Sequence, residues 1–528
     1  MTDFLDLPDL ACETVGGAAL ACNDEFFAGK DNLIHDHAAV WQDHVYTDRG
    51  KWMDGWETRR RRSPSGGHPD PADHDWCILR LGLPGVIRGV VIDTAFFRGN
   101  YPESCALHAT EIDDALDLRA LDAATWTQIL PRHKLAGDSR NAFAVDAGRR
   151  FTHVRLEIFP DGGVARLRVH GEVVPRWSRL LALGGPIDLA ALAHGAVVET
   201  CSDMFFGSRN HLIKPGPSRS MADGWETRRR RGPGHDWAII RLAAAGTIER
   251  LEIDTTHFKG NAPGRCTVEG VLAPGVAPGV APGVAPGVAI DQLTGWRMLL
   301  GSPLQPHTRH SFDDELRRTG PVSHLRLSVF PDGGVARLRA YGEVSADASA
   351  RHAPGAAAGL ARLNALSGDD ARAALRRCCG SSRWIEAMAA ARPFEDVPAV
   401  LRIAERTWWA LDQAAHREAF AAHPRIGEAA TPASGDRAWS AAEQQAAATA
   451  GGQLVADLAA ANRAYFDRHG FLFIVCATGR SADAMLADLR DRTPRGLAEE
   501  LRTAAEEQIK ITRLRLRKLI AELAGDHP

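Results

Sequence analysis

The 528-residue chain lacks the cysteine patterns that build a disulfide framework or a zinc site. Its nine cysteines are scattered, Cys378 and Cys379 are adjacent, and no two cysteines are spaced as C-x-x-C. Free thiols of this kind fit a reducing compartment, because disulfide-rich chains are typical of oxidising surroundings. The opening segment MTDFLDLPDL also lacks the basic start and apolar block of a signal peptide. We therefore expect a cytoplasmic protein.

Long apolar runs and an excess of charge of one sign are absent as well. No stretch approaches the roughly 18 apolar residues that a membrane-spanning helix needs. Lysine and arginine total 63 against 66 aspartates and glutamates, which gives a net charge of -3. A nucleic-acid-binding protein usually carries a basic domain or stripe. We therefore expect neither nucleic acid nor a membrane as a partner. Small-molecule substrates and a homo-oligomer are our further expectations for its partners.

What the sequence does contain is a long internal repeat. The string DGWETRRRR occurs at residues 54–62 and at 223–231, and FPDGGVARLR occurs at 159–168 and at 330–339. The strings HDW and DTxxFxGN and the openings ACNDEFF and TCSDMFF recur in the same order. A spacing of roughly 160–180 residues is far too long for a solenoid repeat. The sequence therefore predicts two tandem domains of one fold.

Each copy has the pattern of an antiparallel β-sandwich. Residues 86–97 and 247–258 alternate apolar and polar side chains and are rich in β-branched residues, as half-buried strands are. Alternating segments flank the Pro-Asp-Gly-Gly sequence at 160–163, which predicts a hairpin. The second copy also carries an APGV expansion at 271–290, and a Pro/Gly string of this kind predicts a flexible loop.

Beyond the second copy, alanine, leucine, arginine and glutamate dominate and the apolar period becomes helical. Residues 439–470 and 496–525 are predicted long helices, and the small, patternless segment 345–359 predicts a linker. The predicted fold class is multidomain, with two tandem all-β sandwich domains followed by an all-α helical domain. The predicted boundaries are 1–182 for the first sandwich, 183–347 for the second, 348–360 for the linker and 361–528 for the helical domain.

The arginine-rich motif and its neighbours are the candidate ligand site of the β domains. Guanidinium groups bind carboxylates in bidentate fashion, and a nearby glutamate can orient them or act as a base. Solvated arginines on a strand, with the tryptophans Trp56 and Trp225 packed inward, are the alternative. The His-Asp pairs suggest metal or acid/base chemistry, and a turn or cap role for the aspartates remains open. Nine candidates result: Glu57, Arg59, His74, Asp75, Glu226, Arg228, His235, Asp236, and His257, which stands where the first copy has Phe96.

Together these repeated motifs strongly resemble the allantoicase family over about the first 345 residues. The resemblance implies tandem jelly-roll-like domains that hydrolyse allantoate to (S)-ureidoglycolate and urea. A substrate carboxylate suits arginine, and ureido groups suit paired donors and acceptors. The resemblance supplies no catalytic residue and leaves open a divalent metal and the choice of copy. Because sandwiches host many roles, ligand-binding or oligomerisation modules without hydrolase activity remain the alternative.

Three segments of the helical domain carry further candidates. His423 precedes a proline in HPRIG, which disfavours helical backbone and suits a side chain presented from a loop. Ser440 and Glu443 open a helix, and their spacing is also that of a capping box. Arg515 lies on a long helix, where a solvated basic face is the alternative.

Taken together, these segments resemble the 2-oxo-4-hydroxy-4-carboxy-5-ureidoimidazoline (OHCU) decarboxylase family over 360–528. The motifs HPRIG, WSAAEQ, NRAYFDRHGFLFIVCATGR and EEQIKITRLRL carry the resemblance, with Ile426 where the family usually has leucine. It implies decarboxylation to (S)-allantoin, with His423 as the acid/base and Glu443 as its carboxylate partner. The substrate ring accepts the electrons, so no added cofactor is expected. The implied substrate-binding residues are Pro424, Ser440, Gln444, Phe473, Ile474, Val475, Ala477 and Arg515.

Overall fold

The computed structural model separates into two compact units. One comprises residues 1–175 and 188–342, and the other comprises residues 176–187 and 343–528. The APGV loop lies outside the described residues from position 274 onward. None of the described helices has the length and apolarity that crossing a membrane requires. The structure describes residues 4–63, 67–112, 121–183, 185–273, 293–345, 347–349, 354–423, 452–476 and 482–525.

The first repeat is an antiparallel β structure built around one 19-residue strand, β5. In the first half of β5 every second side chain from Cys77 to Leu83 is a buried cysteine or leucine, as expected for a strand with one face toward the core. The first half of β5 pairs with β1 and β9, and its second half pairs with β8 and β11. The strands are β1 (Ala18–Cys22), β2 (Tyr46–Thr47), β3 (Gly50–Lys51), β4 (Trp56–Glu57), β5 (Asp75–Asp93), β6 (Ser104–Thr110), β7 (Thr127–Lys134), β8 (Arg140–Ala144), β9 (Arg150–Phe159), β10 (Gly163–Val164) and β11 (Arg166–Val173).

The second repeat has the same plan. Its 19-residue strand β15 pairs with β13 and β19 in its first half and with β18 in its second half. Both central strands shift register at the same place, between Arg80 and Gly85 in one and between Arg241 and Gly246 in the other. The strands are β12 (Ile187–Asp188), β13 (Val197–Cys201), β14 (Trp225–Glu226), β15 (Asp236–Asp254), β16 (Arg265–Val271), β17 (Arg297–Pro303), β18 (Arg309–Phe312), β19 (Val322–Phe330), β20 (Gly334–Val335) and β21 (Arg337–Val344). The prediction of two tandem sandwiches of one fold is confirmed.

The predicted hairpin around the Pro-Asp-Gly-Gly sequence is wrong. Among the described residues β9 pairs with β5 and β6, and β11 pairs with β5. At the turn, Gly163 packs against the buried ring of Phe97, from which a Cβ atom at this position would lie only 2.0 Å away. The turn instead contributes β10, which pairs with β4, and the second repeat pairs β20 with β14 in the same way. The turn thus fixes the position of the DGWE sequence.

The second unit is helical. The predicted stripe of the last helix lies in the core: Leu501, Ile509, Leu516 and Leu519 are all buried. Tryptophan side chains join the helices, since Trp408 Nε1 donates to the carbonyl of Ala505 at 3.0 Å. The helices are α1 (Trp177–Leu183), α2 (Pro354–Ala365), α3 (Gly368–Arg376), α4 (Ser382–Ala390), α5 (Val397–Trp409), α6 (Gln413–Ala421), α7 (Gly452–His469), α8 (Ala482–Arg492) and α9 (Leu497–Ala524).

Two helices lie where the sequence suggested other structure. Helix α2 begins at residue 354, inside the segment expected to be a linker, because its alanine-rich sequence has high helix propensity and buries Leu360 and Leu363. Helix α1 belongs to the helical unit, although it falls within the predicted first sandwich. Arg517 of α9 donates to the carbonyl of Leu181 at 3.2 Å, which fastens α1 to this unit.

Candidate active sites

The tryptophans of the DGWETRRRR motif are fully buried in both repeats. Trp56 Nε1 donates to the carbonyl of Asp24 at 2.8 Å, and Trp225 Nε1 donates to that of Asp203 at the same distance. Because β4 and β14 pair with the glycine turns, these indoles are held between the turn and the loop that precedes the motif. The inward packing of the tryptophans is therefore observed in both copies.

The first and third arginines of the motif each bind a carboxylate of their own repeat. Arg59 Nε donates to Asp24 at 2.6 Å, and Arg61 donates to the buried carboxylate of Asp75 at 2.6 Å. The aspartate of the HDW string is thus the partner of the motif's third arginine. The same pairs recur in the second repeat between Arg228 and Asp203 and between Arg230 and Asp236.

The glutamate of the motif binds the asparagine of DTxxFxGN. Asn100 Nδ2 donates to Glu57 Oε1 at 2.7 Å, and Asn261 donates to Glu226 at 2.5 Å. Burial raises the pKa of Glu57, and the Asn100 hydrogen bond opposes this shift. A carboxyl group with a raised pKa is suited to proton transfer. The structure therefore brings each predicted glutamate to a loop that sequence spacing did not connect with it.

The histidines of the HDW strings pack against aromatic rings. The ring centroid of His74 lies 5.3 Å from that of Phe159, and His235 stacks on Phe330 at 4.5 Å. His74 Nδ1 also donates to the carbonyl of Ala72 at 3.0 Å. Within the parts of the chain that the structure describes, no group of three or more His, Cys, Asp or Glu side chains is placed to hold a metal ion.

His257 differs from the other candidates because its surroundings are not repeated. It has a positive φ of 74° and donates through Nε2 to the carbonyl of Ser218 at 2.9 Å. Its backbone amide donates to His307 Nδ1 at 2.9 Å, whereas the amide of Phe96 donates to the carboxylate of Asp138. The second repeat thus places two histidines where the first has a phenylalanine and an aspartate.

Two buried arginines that bind the first aspartate of the DGWETRRRR motif were missed from the sequence. Arg166 Nη2 donates to Asp54 at 2.8 Å, and Arg337 Nη2 donates to Asp223 at 2.8 Å. Burial raises the pKa of Asp54, but the hydrogen bonds from Arg166 and the amide of Val40, together with the charge of Arg166, lower it by more, so the net pKa is lowered. The signal was present, because the ARLR sequence recurs in both copies.

The helical unit places His423 against α9. His423 Nε2 donates to Gln508 Oε1 at 2.7 Å, and Gln508 Nε2 donates to Thr512 Oγ1 at 3.2 Å. Gln508 and Thr512 are fully buried and Arg515 is nearly so. Their spacing of four and three residues puts the three side chains on one face of the helix. That spacing could have identified Gln508, which sequence reasoning missed.

The predicted segment 473–475 is buried beside the same helix. The carbonyl of Ile474 accepts from Arg492 at 3.0 Å, and the guanidinium carbon of Arg492 lies 4.5 Å from the ring centroid of Phe473. The amide of Cys476 donates to Glu507 on α9 at 2.7 Å. Pro424, Ser440, Glu443, Gln444 and Ala477 lie outside the described residues.

Comparison with known families matches both parts of the chain. The allantoicase repeat model matches residues 8–174 and 187–345, and the OHCU decarboxylase model matches residues 364–517. Allantoicase of Dictyostelium discoideum is 44% identical over 333 residues, which cover 63% of this chain and 85% of that protein. A probable allantoicase of Nocardia farcinica is 45% identical over 342 residues, covering 65% and 95%.

Solved structures are also similar to parts of this chain. The crystal structure of allantoicase from Saccharomyces cerevisiae is 34% identical and has a TM-score of 0.51, covering 64% of this chain and 93% of that one. A crystal structure of OHCU decarboxylase in the presence of (S)-allantoin is 35% identical, with a TM-score of 0.25, over 28% of this chain and 96% of that one. The chain therefore belongs to the allantoicase family through its two repeats, and an OHCU decarboxylase domain follows them.

Proposed function

We propose that this chain is a bifunctional enzyme of ureide catabolism. Its tandem repeats hydrolyse allantoate to (S)-ureidoglycolate and urea, and its helical domain decarboxylates OHCU to (S)-allantoin. The observation that carries the proposal is the match of two repeats and a decarboxylase domain to these two families. A separate ring-opening step lies between the two reactions, so the fusion does not imply direct channelling. A cytoplasmic, homo-oligomeric enzyme is part of the proposal.

Hydrolysis of allantoate needs an anion site and a proton donor. The bond from the central carbon to one ureido nitrogen breaks, water oxygen bonds to that carbon, and a proton passes to the leaving urea. An arginine suits the substrate carboxylate, and a side chain that can donate a proton suits the leaving urea. The assay for urea release is therefore run with and without an added divalent metal.

Decarboxylation of OHCU needs an acid/base side chain close to the bound substrate carboxylate. Carbon dioxide leaves, its bonding electrons enter the ring, and a proton added to one face gives (S)-allantoin. Because His423 Nε2 donates to the amide oxygen of Gln508, neutral His423 keeps its proton on Nε2 and its basic lone pair on Nδ1. In the proposal Glu443 partners His423, and Arg515 binds the substrate carboxylate. No added cofactor is required for this step.

One protein preparation tests both activities. We expect the full-length chain to release urea from allantoate, assayed with and without added divalent metal, and to convert OHCU to (S)-allantoin. His423→Asn keeps the size of the side chain but removes its acid/base function, so OHCU turnover should fall by about 10²–10⁴-fold while urea release is unchanged.

Each contrary result has a definite meaning. Unchanged OHCU turnover in His423→Asn would show that this residue is not the acid/base. Absence of urea release from the wild-type chain under both metal conditions would favour ligand-binding or oligomerisation modules in place of a hydrolase.

A further inference from the structure

We propose that the allantoate site lies at the junction of the two repeats, where Asp36 of the first meets Lys214 and Arg219 of the second. Neither repeat then holds the site alone. The inference rests on the proposed hydrolase function and adds its location. The ligand class is a small carboxylate that carries ureido groups.

The centre of the junction is a lysine held between carboxylates from both repeats. Lys214 Nζ lies 3.5 Å from Asp36 Oδ2 and 3.2 Å from Asp223 Oδ1. Arg219 Nη2 lies 3.4 Å from the same Asp36 oxygen. The Lys214 side chain is 10% exposed, whereas those of Asp36 and Arg219 are 40% and 59% exposed. The cluster is therefore anchored at Lys214 and open to solvent through Asp36 and Arg219.

The first repeat adds a histidine with an unused nitrogen. Glu13 Oε1 accepts from the amide of Asp36 at 3.3 Å, and Glu13 Oε2 lies 3.9 Å from His35 Nε2. Nδ1 of His35 is buried without a hydrogen-bond partner among the described residues. A buried polar atom without a partner costs roughly 1–3 kcal/mol. His35 and Glu13 thus add two polar side chains of the first repeat next to Asp36.

The second repeat links the predicted candidate His257 to the same place. His257 Nε2 donates to the carbonyl of Ser218, the residue before Arg219. The amide of Arg219 in turn donates to Asp223 Oδ2 at 3.2 Å. His211 also lies close by, and burial and the charge of Lys214 lower its pKa, which favours its neutral form. Among the nine sequence candidates, His257 is the one that this chain of hydrogen bonds ties to the junction.

The comparison of the repeats supports a shared site. Equivalent positions of the two copies meet at the junction, but they carry different side chains. Aligned on the common motifs, Lys214 and Pro215 stand opposite His35 and Asp36, and His257 stands opposite Phe96. His35, Asp36, Lys214 and His257 thus differ between the copies, whereas Asp223 has its counterpart in Asp54.

The chemistry of the cluster suits a ureido carboxylate. The exposed guanidinium of Arg219 can take the substrate carboxylate in bidentate form, with Lys214 as a second charge. Asp36 can accept hydrogen bonds from ureido N–H groups. Binding of substrate would replace the present Arg219–Asp36 contact.

The test uses conservative variants of the full-length enzyme. We expect Arg219→Gln to raise the KM for allantoate by about tenfold or more, since a charged hydrogen bond is lost. We expect Asp36→Asn to lower kcat with a smaller change in KM. Arg98→Gln is the matched control, because Arg98 is also exposed and paired with an aspartate, Asp138, at 3.0 Å. This control should leave both constants at wild-type values.

OHCU turnover and the thermal unfolding midpoint of each variant report on folding. If Arg219→Gln and Asp36→Asn keep the wild-type KM and kcat for allantoate, the junction is not the site. If both variants lose stability while the constants per folded enzyme are unchanged, the junction is structural and the proposal is overturned. Absence of urea release from the wild-type chain would refute the proposed hydrolase function, which is a separate result.

Discussion

The two β repeats use the same residues for packing and different residues where they meet. In both, a buried tryptophan, a glutamate bound to asparagine, and an arginine bound to the HDW aspartate hold the same loops together. At the junction, Asp36 of one repeat faces Lys214 of the other, and neither has an equivalent in the partner copy. The repeated DGWETRRRR motif is therefore mainly architectural. Duplication preserves the contacts that each repeat needs for its own fold.

The repeats also differ within the motif itself. Arg60 donates to Asp161 at 2.9 Å and to the carbonyl of Gly99 at 2.9 Å. Its counterpart Arg229 forms no ion pair among the described residues, and Asp332 accepts only from the backbone amide of Arg230. The identical string RRRR therefore has one more ion pair in the first repeat than in the second. Sequence identity alone does not guarantee identical contacts.

The largest effect should come from the shared tryptophans. We expect Trp56→Ala and Trp225→Ala each to destabilise its own repeat by about 3–5 kcal/mol, because a fully buried indole leaves a large cavity. Hydrogen exchange of the amides in β5 and β15 measures the two repeats separately in the full-length chain. The half-buried Trp237 is the matched control, and Trp237→Ala should cost less. A clear inequality between the first two variants would contradict the equivalence of the two scaffolds.

A pH-dependent loss of stability should also be common to both repeats. Burial, together with the charge of Arg80 or Arg241, lowers the pKa of His153 and of His324 to about 4. Each histidine is neutral when folded, so its contribution is complete above the unfolded pKa of about 6.5 and is lost as pH falls towards 4. The loss is at most roughly 3 kcal/mol for each histidine.

Hydrogen exchange between pH 7 and 4, compared with that of His153→Gln and His324→Gln, measures these losses. Each variant should flatten the pH dependence of its own repeat only. A smaller loss in the second wild-type repeat would identify Glu199, which lies 3.6 Å from His324, as a compensating charge. Equal pH dependence in the variants and the wild type would show that the buried histidines are not its source.

The sequence predicted what local patterns encode and missed what distant residues decide. The tandem fold, the inward tryptophans and the stripe of α9 follow from repeats and periodicity. The hairpin prediction failed because β9 and β11 both pair with β5, and strand pairing depends on contacts far apart in the chain. The partner of Lys214 could not be predicted either, since Asp36 lies in the other repeat. Gln508 was hidden because a polar residue interrupts an apolar stripe.

Removing the HDW carboxylates should have an intermediate effect. We expect Asp75→Asn and Asp236→Asn each to cost about 1.5–3 kcal/mol, the usual range for a hydrogen bond to a charged group. Asp75 also accepts from Asn23 and Asp236 from Ser202, so each amide variant keeps one neutral partner. Hydrogen exchange of the adjoining strands measures the cost. A loss of urea release without a loss of protection would instead place these aspartates in the catalytic machinery.

The smallest effect should separate the second arginines of the two motifs. We expect Arg60→Gln to destabilise the first repeat by about 0.5–1 kcal/mol, because Asp161 is buried and keeps only its bond from the amide of Arg61. Arg229→Gln should change the second repeat by less than about 0.5 kcal/mol, as surface substitutions usually do. Double-mutant cycles with Asp161→Asn and Asp332→Asn measure the coupling free energies directly. Coupling between Arg60 and Asp161, without coupling between Arg229 and Asp332, would confirm that the same string makes different contacts in the two copies. Equal coupling would show that the motifs behave alike and that the repeats diverge at the junction.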